Sequence, residues 1–159
     1  MNEMNKTTKV SEVLERSKLG RLYSRREWVI PSSFTEIQPV VGEALTDLGE
    51  RPDLGAVELA LHEALTNAIG HGNQQSPCKP VHVILARYSS GAVVVIVKDY
   101  GAGFNPSQLT DPLRDGLMSE RGRGIFLMRQ LVACVDFVFD QGTEVRLWLT
   151  PPERNALTQ

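Results

Sequence analysis

The feature that most constrains the fold is an amphipathic helix pattern followed at once by two strand patterns. Apolar side chains recur with a 3.6-residue period between residues 57 and 68, which predicts a helix with one buried face. Residues 81–88 then alternate between apolar and polar, as in a half-buried strand, and residues 92–98 form a continuous apolar strand. The Ser-Ser-Gly turn between them predicts a hairpin, against which the helix buries its apolar face.

The flanking segments extend this unit into an α+β domain. A strand is predicted over 27–30, after which Ser33 and Glu36 have the spacing of a capping box that opens a helix running to about Gly49. The helix that carries the apolar stripe begins at Pro52-Asp53, and Gly70 and Gly72 end it. Further elements are a helix over 125–133 and strands over 135–139 and 144–149. This order predicts a two-layer sandwich with a mixed, mainly antiparallel sheet and helices on one face.

A length of 159 residues fits one domain, which we place at 25–150, after a polar basic arm at 1–24 and before a short tail at 151–159. The overall net charge of −2 gives no nucleic-acid footprint. Residues 1–26 nevertheless carry seven basic and three acidic side chains, a net charge of +4. We interpret the arm as a solvated leader, with contact to nucleic acid or to a membrane as the alternative.

The chain is expected to be cytoplasmic. Its N-terminus has no apolar segment typical of a signal peptide, and its longest strongly apolar run, 92–97, is far shorter than the roughly 20 residues that span a bilayer. Cys78 and Cys134 match no metal or redox spacing and are predicted to be unpaired thiols in a reducing compartment.

Several common site motifs are excluded. His62-Glu63 begins like a zinc-protease helix, but Thr66 stands where the second histidine is required. Gly101 and Gly103 begin like a dinucleotide fingerprint, but Pro106 replaces the third glycine. The sequence contains neither the G-x-x-x-x-G-K-[ST] phosphate loop nor a G-x-S-x-G nucleophile elbow.

Three features remain that could take part in catalysis or ligand binding. Glu63 and Asn67 are four residues apart on the predicted helix, so a carboxylate and an amide share one face. A pair of this kind suits a proton acceptor and an oxygen ligand for a hard cation. Asp99 follows a buried strand, and Gly101 and Gly103 behind it allow a ligand to approach the backbone closely.

The third feature is the Gly/Pro-rich stretch from 99 to 124, which is long for a loop and is typical of a lid or binding loop. It ends in Arg121-Gly122-Arg123-Gly124, directly before the helix predicted from Ile125. Backbone N–H groups at a helix N-terminus attract phosphate, and the arginines add charge-assisted contacts.

Together these features resemble the GHKL nucleotide-binding superfamily, and within it the stand-alone anti-sigma-factor serine-protein kinases. The likeness covers about residues 25–150. The segment E-A-L-T-N-A-I with H-G, at 63–72, resembles the family's N-box. The segments D-Y-G-A-G-F at 99–104 and G-R-G-I-F-L-M at 122–128 resemble the two glycine boxes, and Gly142-Thr143 resembles the final turn.

This resemblance implies the Bergerat-type ATP-binding fold, with ATP and Mg²⁺ as ligands. It implies that Asn67 holds Mg²⁺ against the phosphates and that Glu63 accepts the proton of an incoming hydroxyl. At the other end of the ligand, Asp99 binds the adenine amino group, Gly101 and Gly103 line the base, and Thr143 assists through a water. Residues 105–122 form the lid, and the phosphate contacts come from Gly122, Arg123 and Gly124.

The resemblance also implies partner switching. Such a kinase binds a sigma factor, or else binds a STAS-domain anti-anti-sigma protein and phosphorylates it on serine or threonine. It implies a homodimer, with no direct binding of nucleic acid or membrane. Two alternatives stay open: an ATP-gated protein-binding module without kinase activity, and a stand-alone catalytic domain of the histidine-kinase type.

Overall fold

A computed structural model describes residues 18–103 and 120–150. The first half contains β1 (Leu22–Ile30), a 3₁₀ turn (Phe34–Glu36), α1 (Ile37–Leu48) and α2 (Leu54–Thr66), which runs on into a π-helical segment (Asn67–Gly72). The second half contains β2 (Val81–Tyr88), β3 (Val93–Lys98), α3 (Glu120–Leu131), β4 (Cys134–Phe139) and β5 (Thr143–Thr150). The predicted α+β class is confirmed.

The five strands form one sheet in the order β1-β2-β3-β5-β4, and all four pairings are antiparallel. The predicted hairpin is present, with Gly91 at a φ of +88° in its turn and its N–H donating to the carbonyl of Tyr88. A second hairpin joins β4 to β5 through Gln141 and Gly142, both with positive φ. Because β3 pairs with β5, the loop that leaves β3 lies beside the turn that enters β5.

The core lies between one face of the sheet and the helices. The apolar stripe of α2 is buried there together with the alternate residues of the central strands, as the two periodicities predicted. The α2 members are Val57, Ala60, Leu61, Ala64 and Leu65, and the facing strand residues are Val81, Val83, Leu85, Val95, Val97, Val145 and Leu147.

The other face of the sheet carries a smaller apolar cluster around Ala86, Val94 and Trp148. Leu19, which precedes β1, packs on this cluster and is only 8% exposed. The Trp148 indole N–H donates to Asp136 Oδ2 at 2.9 Å, which satisfies the one polar atom of this side chain. The sheet therefore has apolar surface on both faces, and α1, α2 and α3 cover one of them.

Two predicted helix starts are wrong. Ser33 makes no side-chain capping bond; its hydroxyl lies 2.8 Å from that of Thr35, and a 3₁₀ turn precedes α1. The helix predicted from Ile125 begins five residues earlier, at Glu120, so the Gly-Arg-Gly segment is helical. Glycine disfavours a helix by only about 1 kcal/mol, which tertiary packing readily overrides.

Strand limits also differ from the predictions by a few residues. The strand predicted over 27–30 begins at Leu22, because residues on β1 continue to pair with the far end of β2. Among the described residues no helix is both long and apolar enough to cross a membrane. Cys78 and Cys134 are both exposed, and neither is in a disulfide.

An ionic cluster on β1 and β2 makes the free energy of unfolding depend on pH. Hydrogen bonds from His82, at 2.6 Å, and from Arg25 hold the pKa of the Glu27 carboxyl below its ordinary value of 4.5. A carboxyl with a lowered folded-state pKa stabilises the protein above its unfolded pKa, and this stability is lost as the pH falls through the folded value. We expect Glu27→Gln to lower the unfolding free energy at pH 7 by about 0.5 kcal/mol, because the pair is partly exposed. In urea titrations from pH 7 to pH 3 the difference from the wild type should vanish at the acid end; a constant difference would contradict this assignment.

Candidate functional site

The end of α2 changes from an α-helix to a π-helix at Asn67, within the predicted N-box. Asn67 is the first residue of the π-helical segment and is 7% exposed, whereas Glu63, one turn earlier, is partly exposed. The segment closes where the N–H of Asn73 donates to the carbonyl of Ala68 at 2.8 Å. Such π-helical turns are uncommon and are concentrated at functional sites. Here the wider turn carries the chain from the helix layer toward the end of β3.

Glu63 and Asn67 lie against α3 at Gly124. A Cβ atom on Gly124 would lie 2.9 Å from Glu63 Oε2 and 3.3 Å from Asn67 Nδ2. The missing side chain at this position therefore makes room for the two polar side chains of α2. The carboxylate and the amide that share a helix face in the sequence converge on one buried glycine of another helix.

The predicted phosphate contacts of Gly122, Arg123 and Gly124 fall at the start of α3, which begins at Glu120, and they stay a prediction. Gly124 stands four residues after Glu120, so its N–H is in register for the helix's own i→i−4 ladder. Arg123 is exposed in the same turn, and Gly122 is buried. The predicted lid, 105–122, lies outside the described residues except for its last three, which are helical.

A second polar centre forms around Asp99, immediately after β3. Its carboxylate is 2% exposed, and Oδ1 accepts hydrogen bonds from the N–H groups of Gly101, at 2.9 Å, and Thr143, at 3.2 Å. The N–H of Asp99 in turn donates to the carbonyl of Thr143 at 2.9 Å. The β3–β5 pairing thus brings together residues 44 positions apart and fixes the orientation of the carboxylate.

Three glycines enclose Asp99. A Cβ on Gly72 would overlap the Asp99 carboxylate, one on Gly142 would overlap its carbonyl, and one on Gly101 would overlap the carbonyl of Gly72. Gly101 was predicted as a site residue, but Gly72 and Gly142 were noted only as parts of boxes. In the sequence, Gly72 and Gly142 are marked only by their positions in these motifs. The reason why glycine is needed there, the close approach of the Asp99 carboxylate and backbone, is visible only in the tertiary structure.

Thr143 supplies an unusual buried atom. Within the described residues, its hydroxyl is the buried side-chain oxygen that has no hydrogen-bond partner, and the residue is 1% exposed. The hydroxyl lies 3.8 Å from the Cβ position of Gly103, whose φ is +78°. A buried polar atom without a partner costs free energy, so it indicates a ligand or an ordered water at this position. The structure thus brings Asp99, Gly101, Gly103 and Thr143 together, and their role in ligand binding stays a prediction.

Asn73 belongs to the site and was missed. It follows the N-box, it is 1% exposed, and its side-chain oxygen accepts from the N–H of Tyr100 at 2.8 Å. The only sequence signal was an asparagine directly after His71-Gly72, which is equally typical of a loop. Its partners are distant in sequence, so periodicity does not identify them.

The site thus combines a buried carboxylate fixed by backbone N–H groups, an adjacent unpartnered hydroxyl and a glutamate–asparagine pair on a nearby helix. Comparison with known proteins identifies the family: residues 16–149 match the histidine kinase-like ATPase domain, and the chain belongs to that family. Membership implies ATP binding. No curated protein matches the chain.

Among solved structures, the chain is similar to the histidine kinase domain of a blue-light activated histidine kinase from Erythrobacter litoralis. The identity is 19% and the TM-score is 0.49, and the match covers 87% of this chain and 68% of the other.

Proposed function

We propose that this chain is an ATP-dependent serine/threonine-protein kinase that also acts as an anti-sigma factor. The observation that carries the proposal is the position of Glu63, whose carboxylate lies one helical turn from Asn67 and faces Gly124. A catalytic domain that transfers phosphate directly to a hydroxyl needs a proton acceptor at the phosphate end of its site. Glu63 is partly exposed and can meet an incoming side chain.

In this proposal the two centres bind the two ends of ATP. The Asp99 carboxylate accepts a hydrogen bond from the adenine amino group, and the Thr143 hydroxyl, unpartnered among the described side chains, supports the base directly or through a water. The amide oxygen of Asn67 is a suitable ligand for Mg²⁺, which prefers oxygen and retains several waters and phosphate oxygens. When bound, the ion neutralises phosphate charge, while Glu63 orients and deprotonates the attacking hydroxyl.

The partners follow from the resemblance of the three boxes to anti-sigma kinases. In this proposal the chain holds a sigma factor inactive, and a STAS-domain antagonist that carries the target serine or threonine competes for it. Phosphorylation releases the antagonist and restores binding of the sigma factor. A homodimer is part of the same proposal.

Transfer of labelled γ-phosphate from Mg-ATP to proteins in a lysate of the source cells tests the proposal. We expect one small labelled protein whose phosphate survives acid, as phosphoserine and phosphothreonine do. Acid-labile label would instead favour a catalytic domain of the histidine-kinase type. ATP binding with no labelled protein would favour an ATP-gated binding module, and either result would overturn the proposal.

Gly124→Ala should lower the rate of phosphate transfer without lowering the thermal stability. The added methyl displaces the flexible end of Glu63, so we expect transfer to fall about tenfold through misplacement of the base. The melting temperature should stay level or rise, because alanine favours a helix by about 1 kcal/mol over glycine. Gly42→Ala is the matched control: it lies on α1 with nothing within 4 Å of the new Cβ, and should be more stable with unchanged transfer. Equal transfer rates in the two variants would contradict the placement of Glu63.

A further inference from the structure

The side chain of Asn73 joins three segments that are distant in sequence. Its Nδ2 atom donates to Ser32 Oγ at 2.9 Å, to the carbonyl of Pro80 at 2.9 Å and to that of Lys79 at 3.2 Å. Its Oδ1 atom accepts from the N–H of Tyr100 at 2.8 Å. Every polar atom of this buried amide therefore has a partner, and the network crosses the β1–α1 connection, the 79–80 segment and the loop after β3.

The backbone of Asn73 is fixed as well. Its N–H closes the π-helical segment that starts at Asn67, and its carbonyl accepts from Ser76 at 3.0 Å. Gly72, directly before it, packs against the Asp99 carboxylate. Asn73 thus stands between the residue assigned to the phosphate end and the residues assigned to the base.

The bond to Tyr100 acts on the base end. Tyr100 lies between Asp99, whose carboxylate is assigned to the adenine amino group, and Gly101, whose N–H fixes that carboxylate. A shift of the Tyr100 peptide would rotate both neighbours. The other bonds of Asn73 are to Ser32 and the 79–80 segment.

We propose that Asn73 is a positioning residue for the nucleobase, which acts through the Tyr100 N–H to hold Asp99 in the orientation that selects adenine. The proposal rests on ATP binding by this site. It separates the two halves of the Asn73 side chain: the oxygen serves nucleotide selection, and the nitrogen serves the stability of the loop.

Three variants separate these roles. Asn73→Ala removes both halves, Asn73→Asp keeps an oxygen for Tyr100 but places a second oxygen against the carbonyls, and Ser32→Ala removes one partner of the nitrogen only. We expect ATP affinity to fall about tenfold in Asn73→Ala and to stay within about threefold of the wild type in the other two. The preference for ATP over GTP should fall only in Asn73→Ala. The thermal stability should fall in all three, and Asn73→Asp should be the least stable.

The test measures binding of ATP and GTP by calorimetry, well below each melting temperature. The proposal is supported if the order of the variants by thermal stability differs from their order by ATP affinity. A purely structural role would lower stability and affinity in parallel. Wild-type affinity in Asn73→Ala, or losses in all three variants in proportion to stability, would overturn it. If Asn73→Ala does not fold, Asn73→Ser takes its place, because serine also removes the amide oxygen that accepts from Tyr100 but keeps a polar group near the carbonyls of 79–80. A wild-type chain that binds neither nucleotide would overturn this proposal and the proposed function together, whereas normal wild-type binding with an unaffected Asn73→Ala would overturn this one alone.

Discussion

Asp99→Asn is expected to lower the affinity for ATP about a hundredfold and to shift the preference toward inosine triphosphate. Asparagine keeps Oδ1, which accepts from Gly101 and Thr143, but it replaces the second carboxylate oxygen with an N–H₂ group. That donor opposes the amino group of adenine and suits the 6-oxo group of hypoxanthine. Hydrogen bonds to charged groups contribute about 1.5–3 kcal/mol, which sets the size of the loss. Calorimetric titration with both nucleotides measures the affinity and the change of preference.

The matched control is Asp53→Asn. Asp53 is an aspartate whose pKa is lowered by its hydrogen bonds with Arg51, and it lies at the start of α2, away from the assigned base. This variant should lose some stability and keep its ATP affinity. Unchanged ATP binding in Asp99→Asn would show that Asp99 does not contact the base.

Glu63→Gln is expected to reduce phosphate transfer by about 10²- to 10⁴-fold, the usual contribution of a general base. Glutamine has nearly the same shape, so the packing against Gly124 and Asn67 is retained, but it cannot accept a proton at neutral pH. ATP affinity should stay within about threefold, because the nucleotide is bound by other residues. Single-turnover transfer to the partner protein, with binding measured separately, gives the two quantities.

Glu58→Gln provides the comparison on the same helix. Glu58 is exposed, five residues before Glu63, and its replacement should leave both transfer and binding unchanged. Full transfer activity in Glu63→Gln would show that Glu63 is not the base and that transfer needs no proton acceptor at this position.

Much of the fold could be predicted because it depends on local periodicity. The α2 stripe and the alternating pattern of β2 each identify one buried face, and a helix and a hairpin with such faces pack in few ways. Asp99 could be chosen as a candidate because a carboxylate at the end of an apolar strand stands out in the sequence. Glu63 and Asn67 could be paired because a spacing of four is local to one helix.

The start of α3 could not be predicted, because it depends on packing. The Gly-Arg-Gly segment has weak intrinsic helix propensity, but the absence of a side chain at Gly124 lets it lie against Glu63 and Asn67 on α2. The same sequence therefore indicates a loop by propensity and forms a helix in its tertiary context.

Local sequence patterns predict the α+β class, the helix and strand faces, and the order of the candidate site residues. The π-helical turn at 67–72, the enclosure of Asp99 by Gly72 and Gly142, and the contacts of Asn73 depend on tertiary packing. The physical reason is the range of the interactions. Periodicity reports contacts within one element, whereas the hydrogen bonds of Asn73 and Asp99 join groups up to 44 residues apart. These hydrogen bonds contribute to stability only after the strands have paired and brought their donors and acceptors together.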